Sequence, residues 1–471
     1  MPRFLPSRYS PIVQILILSV IAALAEGAFI AASSIGSGGT SSLHHYNISR
    51  ALLNGAQALF GPFAGGVVNW IGIRPGLFIG GCSMVLLIGS FWQYNVSKNT
   101  TFMYIVSYAT GTLGCLFWTS WASNLGEGGS LLVGLPSEKD KGRATSLAWG
   151  MIQLGVIGCS AILVGVSNTK GDAVGFPNSV QLALIIVVSC SLGLILLIVP
   201  FDKVVRTDGT KVIIPKKPAL KDEVKGLWRV MRDWRIFCLT PANFLCLQYM
   251  VYHSAINTVQ FTGRTGALAS LVAGVGSASG GFITGHLLDR KNLSRRTCGI
   301  VGLVFVSAIM WITWIGGVVN QTKFERHNPG PAIDWTDSRA GPQLAFRLAL
   351  GLADGSLRNL TLWTIGTLSN DPSTGARYSS IWLSTLGGGA AFFHILDGHE
   401  VSLLVEASLL LGQSVLCVPL LAVVLWSIPD VTVERLEKEK PTEGSLEFGD
   451  HLPSEETSVK AGGRGGARRK S

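Results

Sequence analysis

The chain reads as an all-α integral membrane protein: twelve transmembrane helices arranged as two six-helix bundles. Three observations carry this. Apolar runs of membrane-spanning length recur about twelve times along the 471 residues. Charged residues make up only 14% against 48% apolar, where soluble chains carry roughly 25% charged. A glycine- and arginine-containing hinge sequence recurs at the same place in each half. Its first copy is Gly65-Gly66-Val67-Val68-Asn69-Trp70-Ile71-Gly72-Ile73-Arg74. Its second is Gly285-His286-Leu287-Leu288-Asp289-Arg290, followed by Arg295-Arg296.

Crossing ~30 Å of hydrocarbon takes ~20 mostly apolar helical residues. By that measure the first half supplies spans near 11–35, 48–72, 75–94, 102–127, 145–167 and 180–200. The second half supplies 236–259, 266–288, 298–319, 341–366, 377–396 and 402–427. Barrel strands would show short dyad alternation, which these long continuous runs lack. The predicted units are a cytosolic N-terminus (1–10), one bundle (11–200), a cytosolic linker (201–235), a second bundle (236–427) and a disordered cytosolic tail (428–471). Within the linker, Leu220, Val224, Leu227, Met231 and Trp234 recur at helical spacing among lysines and arginines. This reads either as an amphipathic helix on the inner membrane surface or as a solvated connector.

The net charge of +10 belongs to topology rather than to nucleic acid. With the N-terminus in the cytosol, 29 of the 38 Lys and Arg fall on the cytosolic side and 7 opposite, with Arg347 and Arg358 inside span ten. That bias sets orientation and puts both termini in the cytosol. Asn47, Asn95, Asn99 and Asn320 open glycosylation sequons on the opposite face; Asn292 and Asn359 match too, on the cytosolic side and inside a span. The run after Arg3 and Arg8, ending Ala23-Leu24-Ala25, has features of a cleaved signal peptide. It continues to Ile35, and its loss would break the twofold pattern, so it is read as span one. The eight cysteines form no CxxC and no metal spacing, and read as small packing residues. Glycines inside the spans, such as Gly61, Gly155, Gly280 and Gly387-Gly388-Gly389, fit close helix packing.

The hinge resembles the signature of the major facilitator superfamily, Gly-x-x-x-Asp-Arg/Lys-x-Gly-x-Arg, found after spans two and eight. Gly285, Asp289, Arg290, Arg295 and Arg296 keep its charged elements. The first copy keeps Gly65, Gly72 and Arg74 but has Asn69 for the acid and Trp70 for the base. In that superfamily the motif holds one bundle against the other on the cytosolic side, so the resemblance implies a weaker first latch. More specifically, the chain is similar to the fungal Unc-ninety-three-like branch over nearly all of 11–427. The matching segments are the glycine-rich run to Gly39, Trp118-Thr119, Pro136 to Arg143 with Trp149 and Gly155, and Phe261 to Leu268. Ile333 to Asp337, Asp354 with Trp363, Ser369 to Pro372, Ala376-Arg377-Tyr378 and Gly389-Ala390-Ala391 follow in order. Where the branch has Pro-Gly in span one, this chain has Glu26-Gly27. The resemblance implies a transporter-like fold, while some animal relatives act as channel regulators or trafficking partners.

Gly-Lys never occurs, so there is no Walker A sequence and no ATP-driven pumping by this polypeptide alone. No cofactor motif, metal cluster or nucleophile motif is present, and the chain does not read as an enzyme. The informative residues are charges inside spans, which are costly unless paired or facing water. Arg347, Asp354 and Arg358 lie within about 20° of one line along span ten. That stripe is either the wall of a central cavity or a buried ion pair that fixes packing, and Arg347 is close enough to the outer edge to snorkel. Glu26, mid-span beside Gly27, is a candidate proton site; Glu406 is a second lone acid. His253 and Asn257, one turn apart, and Trp363 join the candidate solute pathway, with a satisfied core histidine and a packing tryptophan as the alternatives. Arg264 is a candidate external gate.

The expected activity is gradient-driven movement of a small polar or anionic solute by alternating access. The alternative is a non-transporting regulator of another membrane protein. The expected partners are the solute, the lipid bilayer and, on the second reading, that membrane protein. Plasma, vacuolar and endosomal membranes all fit.

Overall fold

The computed structural model describes residues 11–34, 40, 42–122, 141–166, 178–199, 220–290, 292–369 and 372–428. The described residues form thirteen α-helices. They are α1 (Pro11–Ser34), α2 (Leu43–Ile71), α3 (Ile73–Ser97), α4 (Thr100–Ala122), α5 (Lys141–Val166), α6 (Asn178–Leu194), α7 (Leu220–Met231), α8 (Trp234–Gln260), α9 (Gly263–Leu288), α10 (Arg295–Gln321), α11 (Ala340–Leu368), α12 (Pro372–Gly398) and α13 (Leu403–Trp426). The N-terminal decapeptide, the Gly-rich run 35–39, Glu127, most of the 136–143 segment, Asn370-Asp371 and the tail lie outside the described residues. Eight helices are long and apolar enough to cross a membrane by length and composition. Their outer faces carry large exposed apolar side chains such as Leu154, Ile186, Val304 and Ile312, as lipid-facing surfaces do.

Local chemistry sets the helix ends. Ser42, Asp233 and Ser294 cap α2, α8 and α10 by accepting from the N–H groups of His45, Arg235 and Thr297. Gly72 sits at φ 91° between α2 and α3, a backbone state that a side chain would strain, which is why the first hinge turns there. Pro62 inside α2 leaves the Ala58 carbonyl without its usual donor; Ser384 Oγ of α12 donates to it at 2.5 Å.

Two buried apolar cores result. One gathers side chains of α1, α3, α5 and α6, including Ile21, Leu77, Ile152 and Val188. The other gathers α8 and α10 to α13, including Tyr252, Met310, Leu360, Phe393 and Leu421. The two meet where α2 packs along α12 and α5 along α9. Within each half helices also approach closely at glycines: a Cβ on Gly355 of α11 would collide with the Ser277 carbonyl of α9, and one on Gly27 of α1 would stand 2.6 Å from the Gly155 carbonyl carbon of α5.

The predicted linker helix forms as α7. Its Glu223, Leu227 and Val230 are buried, while Val224, Trp228 and Met231 form an exposed apolar face. Leu227 therefore leaves the expected apolar stripe and joins the core. The reason is that α7 packs against α2 and α12 instead of standing clear of them.

Candidate functional site

A cavity of about 1110 Å³, counting the space that opens toward solvent, lies among α1 to α5, α8, α11 and α12. One carboxyl and two guanidinium side chains from three helices share its wall: Glu26 of α1, Arg50 of α2 and Arg358 of α11. Glu26 lies within electrostatic reach of both arginines. Gly27, where α1 and α5 touch, holds the Glu26 backbone against α5.

Arg358 is a neutralised cation. Its Nε donates to Asp354 Oδ1 at 2.6 Å, one turn back on α11, and its Nη2 donates to the Cys246 carbonyl. Asp354 Oδ2 accepts from Ser277 Oγ at 3.0 Å, which accepts from Trp149 Nε1 at 3.1 Å. The Arg358 guanidinium also lies over the Trp149 ring, 4.9 Å from its centroid. A continuous chain of bonds thus joins α5, α9 and α11 behind the cavity wall.

Arg50 is different. It is 8% exposed, stacks 4.4 Å over the Phe29 ring, and its Nε and Nη1 have no hydrogen-bond partner among the described residues. Sequence reasoning placed Arg50 at the outer edge, with span two starting near 48. The helix starts at Leu43, so Arg50 sits two turns inside. The signal that would have found it is the Ser42 cap, since Ser before a helical run marks a start. Trp118, Trp121, Trp149, Trp382, Tyr46 and Phe29 share the remaining wall with aliphatic side chains.

Other expected pathway residues fall elsewhere. Asp354 opens with His253 onto a smaller recess beside the Arg358 guanidinium. His253 Nε2 meets Asn257 Nδ2 at 3.1 Å, and both are buried. Neither lines the central cavity. Trp363 packs against Gly299 of α10 in the second core; five residues past Arg358 it points about 140° round the helix, away from the cavity. Arg347 pairs with nothing on its stripe. It is fully buried, over the rings of Phe261 and Phe346, so it does not snorkel. Seven residues put it roughly 10 Å along the axis from Asp354, too far for the pair that Arg358 makes. Among the described residues no three His, Cys, Asp or Glu side chains are placed to hold a metal ion.

Both ends of the α2–α12 contact are bridged. At the α7 end, Asn69 Nδ2 donates to Glu223 Oε1 at 3.3 Å, and Arg377 of α12 donates to both Glu223 oxygens at 3.0 and 3.1 Å. Gly65 lies against Ser380 and Ala376 of α12, leaving no room for a side chain. The acid missing at position 69 is therefore supplied by α7. Arg74 donates to the Ile198 carbonyl after α6, and Trp70 is 71% exposed. In the second hinge copy Gly285 accepts the capping N–H of Asp289, Arg290 is exposed, and Arg295 and Arg296 open α10, Arg296 over the Trp426 ring.

At the other end, Asn47 Nδ2 donates to Asp397 at 2.7 Å and Asn47 Oδ1 meets His394 Nδ1 at 3.0 Å. Arg326, from the loop after α10, pairs with Asp397 and, at 3.1 Å, with Glu406. Glu406 is thus not a lone acid. Asn47, 1% exposed with its amide engaged, is not a glycan acceptor in this fold. Asn320 exchanges two hydrogen bonds with Gln343, Asn95 is half-buried, and Asn99 is exposed. Arg264, the expected external gate, stands in the first turn of α9, pairs with Asp334 of the segment between α10 and α11, and lies over the Trp335 ring. That guanidinium, aided by the hydroxyls of Thr336 and Thr262, holds the Asp334 carboxyl well below the usual carboxylate range.

An uncharacterised membrane protein of Schizosaccharomyces pombe is 28% identical over 393 residues, covering 82% of this chain and 79% of that protein. The UNC93-like protein 1 of Arabidopsis thaliana is 26% identical over 422 residues, covering 88% and 90%. The crystal structure of the E. coli fucose:proton symporter superposes with a TM-score of 0.56 at 15% identity, covering 88% of this chain and 98% of the symporter. A family model described as ion channel regulatory protein UNC-93 matches residues 42–330. The chain is a multi-pass membrane protein of the UNC-93 family, built on the major facilitator fold.

Proposed function

We propose that this protein is a secondary active transporter that moves a small anionic solute by alternating access between two six-helix bundles, 11–200 and 236–427, with a proton as coupling ion. Twelve of the thirteen helices are then spans, and α7 is the cytosolic linker helix. The positive-inside bias puts both termini and the α7 end in the cytosol. Plasma, vacuolar and endosomal membranes fit equally.

One observation carries the reading: Arg50, Glu26 and Arg358 converge on an interior cavity from three helices. A buried cation without a bonded acid is costly in a membrane unless water or a ligand faces it. The charges within reach of Glu26 are Arg50 on α2 and Arg358 on α11, and Tyr46 on α2 and His394 on α12 share its cavity wall. A proton on Glu26 removes the negative charge near Arg50 and leaves that cation to the solute, so proton and anion bind in the same cycle. The fucose:proton symporter shares the fold.

The test is proton influx into proteoliposomes holding the full chain and an entrapped pH dye, on addition of a panel of organic anions. Wild type should acidify the lumen with at least one anion, and Glu26→Gln should not. No proton movement and no uptake of any anion would refute the reading.

The second reading, a regulator or trafficking partner of another membrane protein, draws on the family description as ion channel regulatory. Loss of a cellular phenotype on deleting 430–471, with transport intact in vesicles, would favour it.

A further inference from the structure

The neutral polar residues of the cavity wall already serve the protein itself. Asn54 Nδ2 donates to the Arg50 carbonyl at 2.9 Å and Gln57 Nε2 to the Leu383 carbonyl at 2.9 Å. Thr110 Oγ1 donates to the Ser83 carbonyl at 3.0 Å and Ser254 Oγ to the Ser33 carbonyl at 2.8 Å. A polyhydroxylated solute would find these donors engaged. Among the described residues, the fully buried lining atoms without a hydrogen-bond partner are Arg50 Nε and Nη1, Trp382 Nε1 and Ser33 Oγ. Arg50 and Trp382 are 8% and 4% exposed and come from opposite halves of the chain, α2 and α12. Buried donors without acceptors are destabilising, and a carboxylate satisfies an arginine and an indole N–H together.

Charge and shape narrow the class further. Arg358 is already balanced by Asp354, so among the described residues of this wall Arg50 is the cation left for a solute, and one cation matches one negative charge. The rest of the wall mixes aliphatic side chains such as Leu53, Leu87 and Leu386 with rings, and Tyr46, Trp118 and Trp121 are rings not covered by an arginine. Flat π faces favour flat partners.

Resting on the transporter reading of this cavity, we propose that its solute is an aromatic monocarboxylate, with the carboxylate held by Arg50 and Trp382 and the ring against the tryptophan wall.

The experiment uses the full chain in detergent with three probes: indole-3-carboxylate, its neutral carboxamide and cyclohexanecarboxylate. Binding is read from tryptophan fluorescence and thermal unfolding. Indole-3-carboxylate should bind, with both comparison probes at least about tenfold weaker. Arg50→Gln should weaken it by at least about tenfold, Trp382→Phe by roughly threefold, and Arg50→Lys should retain part of the affinity. Arg50→Lys keeps the charge, so it separates a lost contact from a lost fold. Equal binding of the carboxamide, or unchanged affinity in monodisperse Arg50→Gln, would overturn the carboxylate site. Equal binding of cyclohexanecarboxylate would overturn the aromatic class. If no aromatic carboxylate binds while the vesicles still move another anion with protons, the solute class is wrong and the transporter reading stands. If neither occurs, both fall.

Discussion

Gly355→Ala tests the packing that positions the cavity. A Cβ there would stand 2.7 Å from the Ser277 carbonyl carbon and 2.9 Å from its Cα, where ordinary contact begins at 3.4 Å. The obstacle is backbone, which cannot rotate aside, and the Ser277 carbonyl oxygen is nearer still, so α9 and α11 must separate by more than about 0.7 Å. Overpacking of this kind costs about 1–3 kcal/mol. The same shift lengthens the 3.0 Å bond from Ser277 to Asp354, and a bond to a charged group contributes about 1.5–3 kcal/mol. With partial relaxation we expect a loss of about 3 kcal/mol, or roughly 3 °C in unfolding midpoint for a chain of 471 residues. The control is Gly316→Ala on α10, where no atom lies within 4 Å of the new Cβ. It should be neutral or stabilising by up to about 1 kcal/mol, since alanine is the better helix former. Both variants would be followed by thermal unfolding of detergent-purified protein. Equal midpoints for the two would refute backbone-to-backbone packing of α9 on α11.

Three further outcomes are expected. Glu223→Ala and Arg377→Ala should each destabilise the protein, and a double-mutant cycle should return a coupling of about 1–3 kcal/mol; zero coupling would mean that the α7 clamp carries no energy. The Asp334 carboxyl is depressed in the folded state, so its contribution is full above the ordinary value of 3.8 and is lost as pH falls below it. Unfolding midpoints of wild type should therefore fall more steeply below about pH 4 than those of Asp334→Asn, and parallel curves would contradict the assignment. In a glycosylating host, Asn99→Gln should remove a mobility shift that Asn47→Gln leaves in place, and the reverse pattern would contradict the burial of Asn47.

Long apolar runs made the helices legible from sequence, because hydrophobic length is a local property. In the linker, apolar residues at helical spacing marked the stretch that α7 (Leu220–Met231) occupies. What stayed hidden depends on partners far away in the chain. Glu406 looks solitary until Arg326, 80 residues earlier, folds onto it. Asn69 looks like a lost acid until Glu223 arrives from α7. The Arg347–Asp354–Arg358 stripe shared a direction, but direction round a helix does not give depth along it, so only one arginine pairs. Arg50 was missed because the first turn of α2, with His44 and His45, is too polar for an apolar run to include. The same polarity is what a helix entering from the solvent edge requires.

Glu223 ties α2 to α12 through Asn69 and Arg377. The carboxylate that fastens α2 to α12 belongs to the segment joining the two halves, so the connection between them is also their fastener. Two fragments ending and starting within 201–219 would assemble with the fastener attached to the second fragment, through the single turn between α7 and α8. Its grip on Asn69 would then be an intermolecular bond, set by the affinity of the fragments for each other. In the intact chain the same bond forms at a fixed local concentration, independent of how much protein the membrane contains.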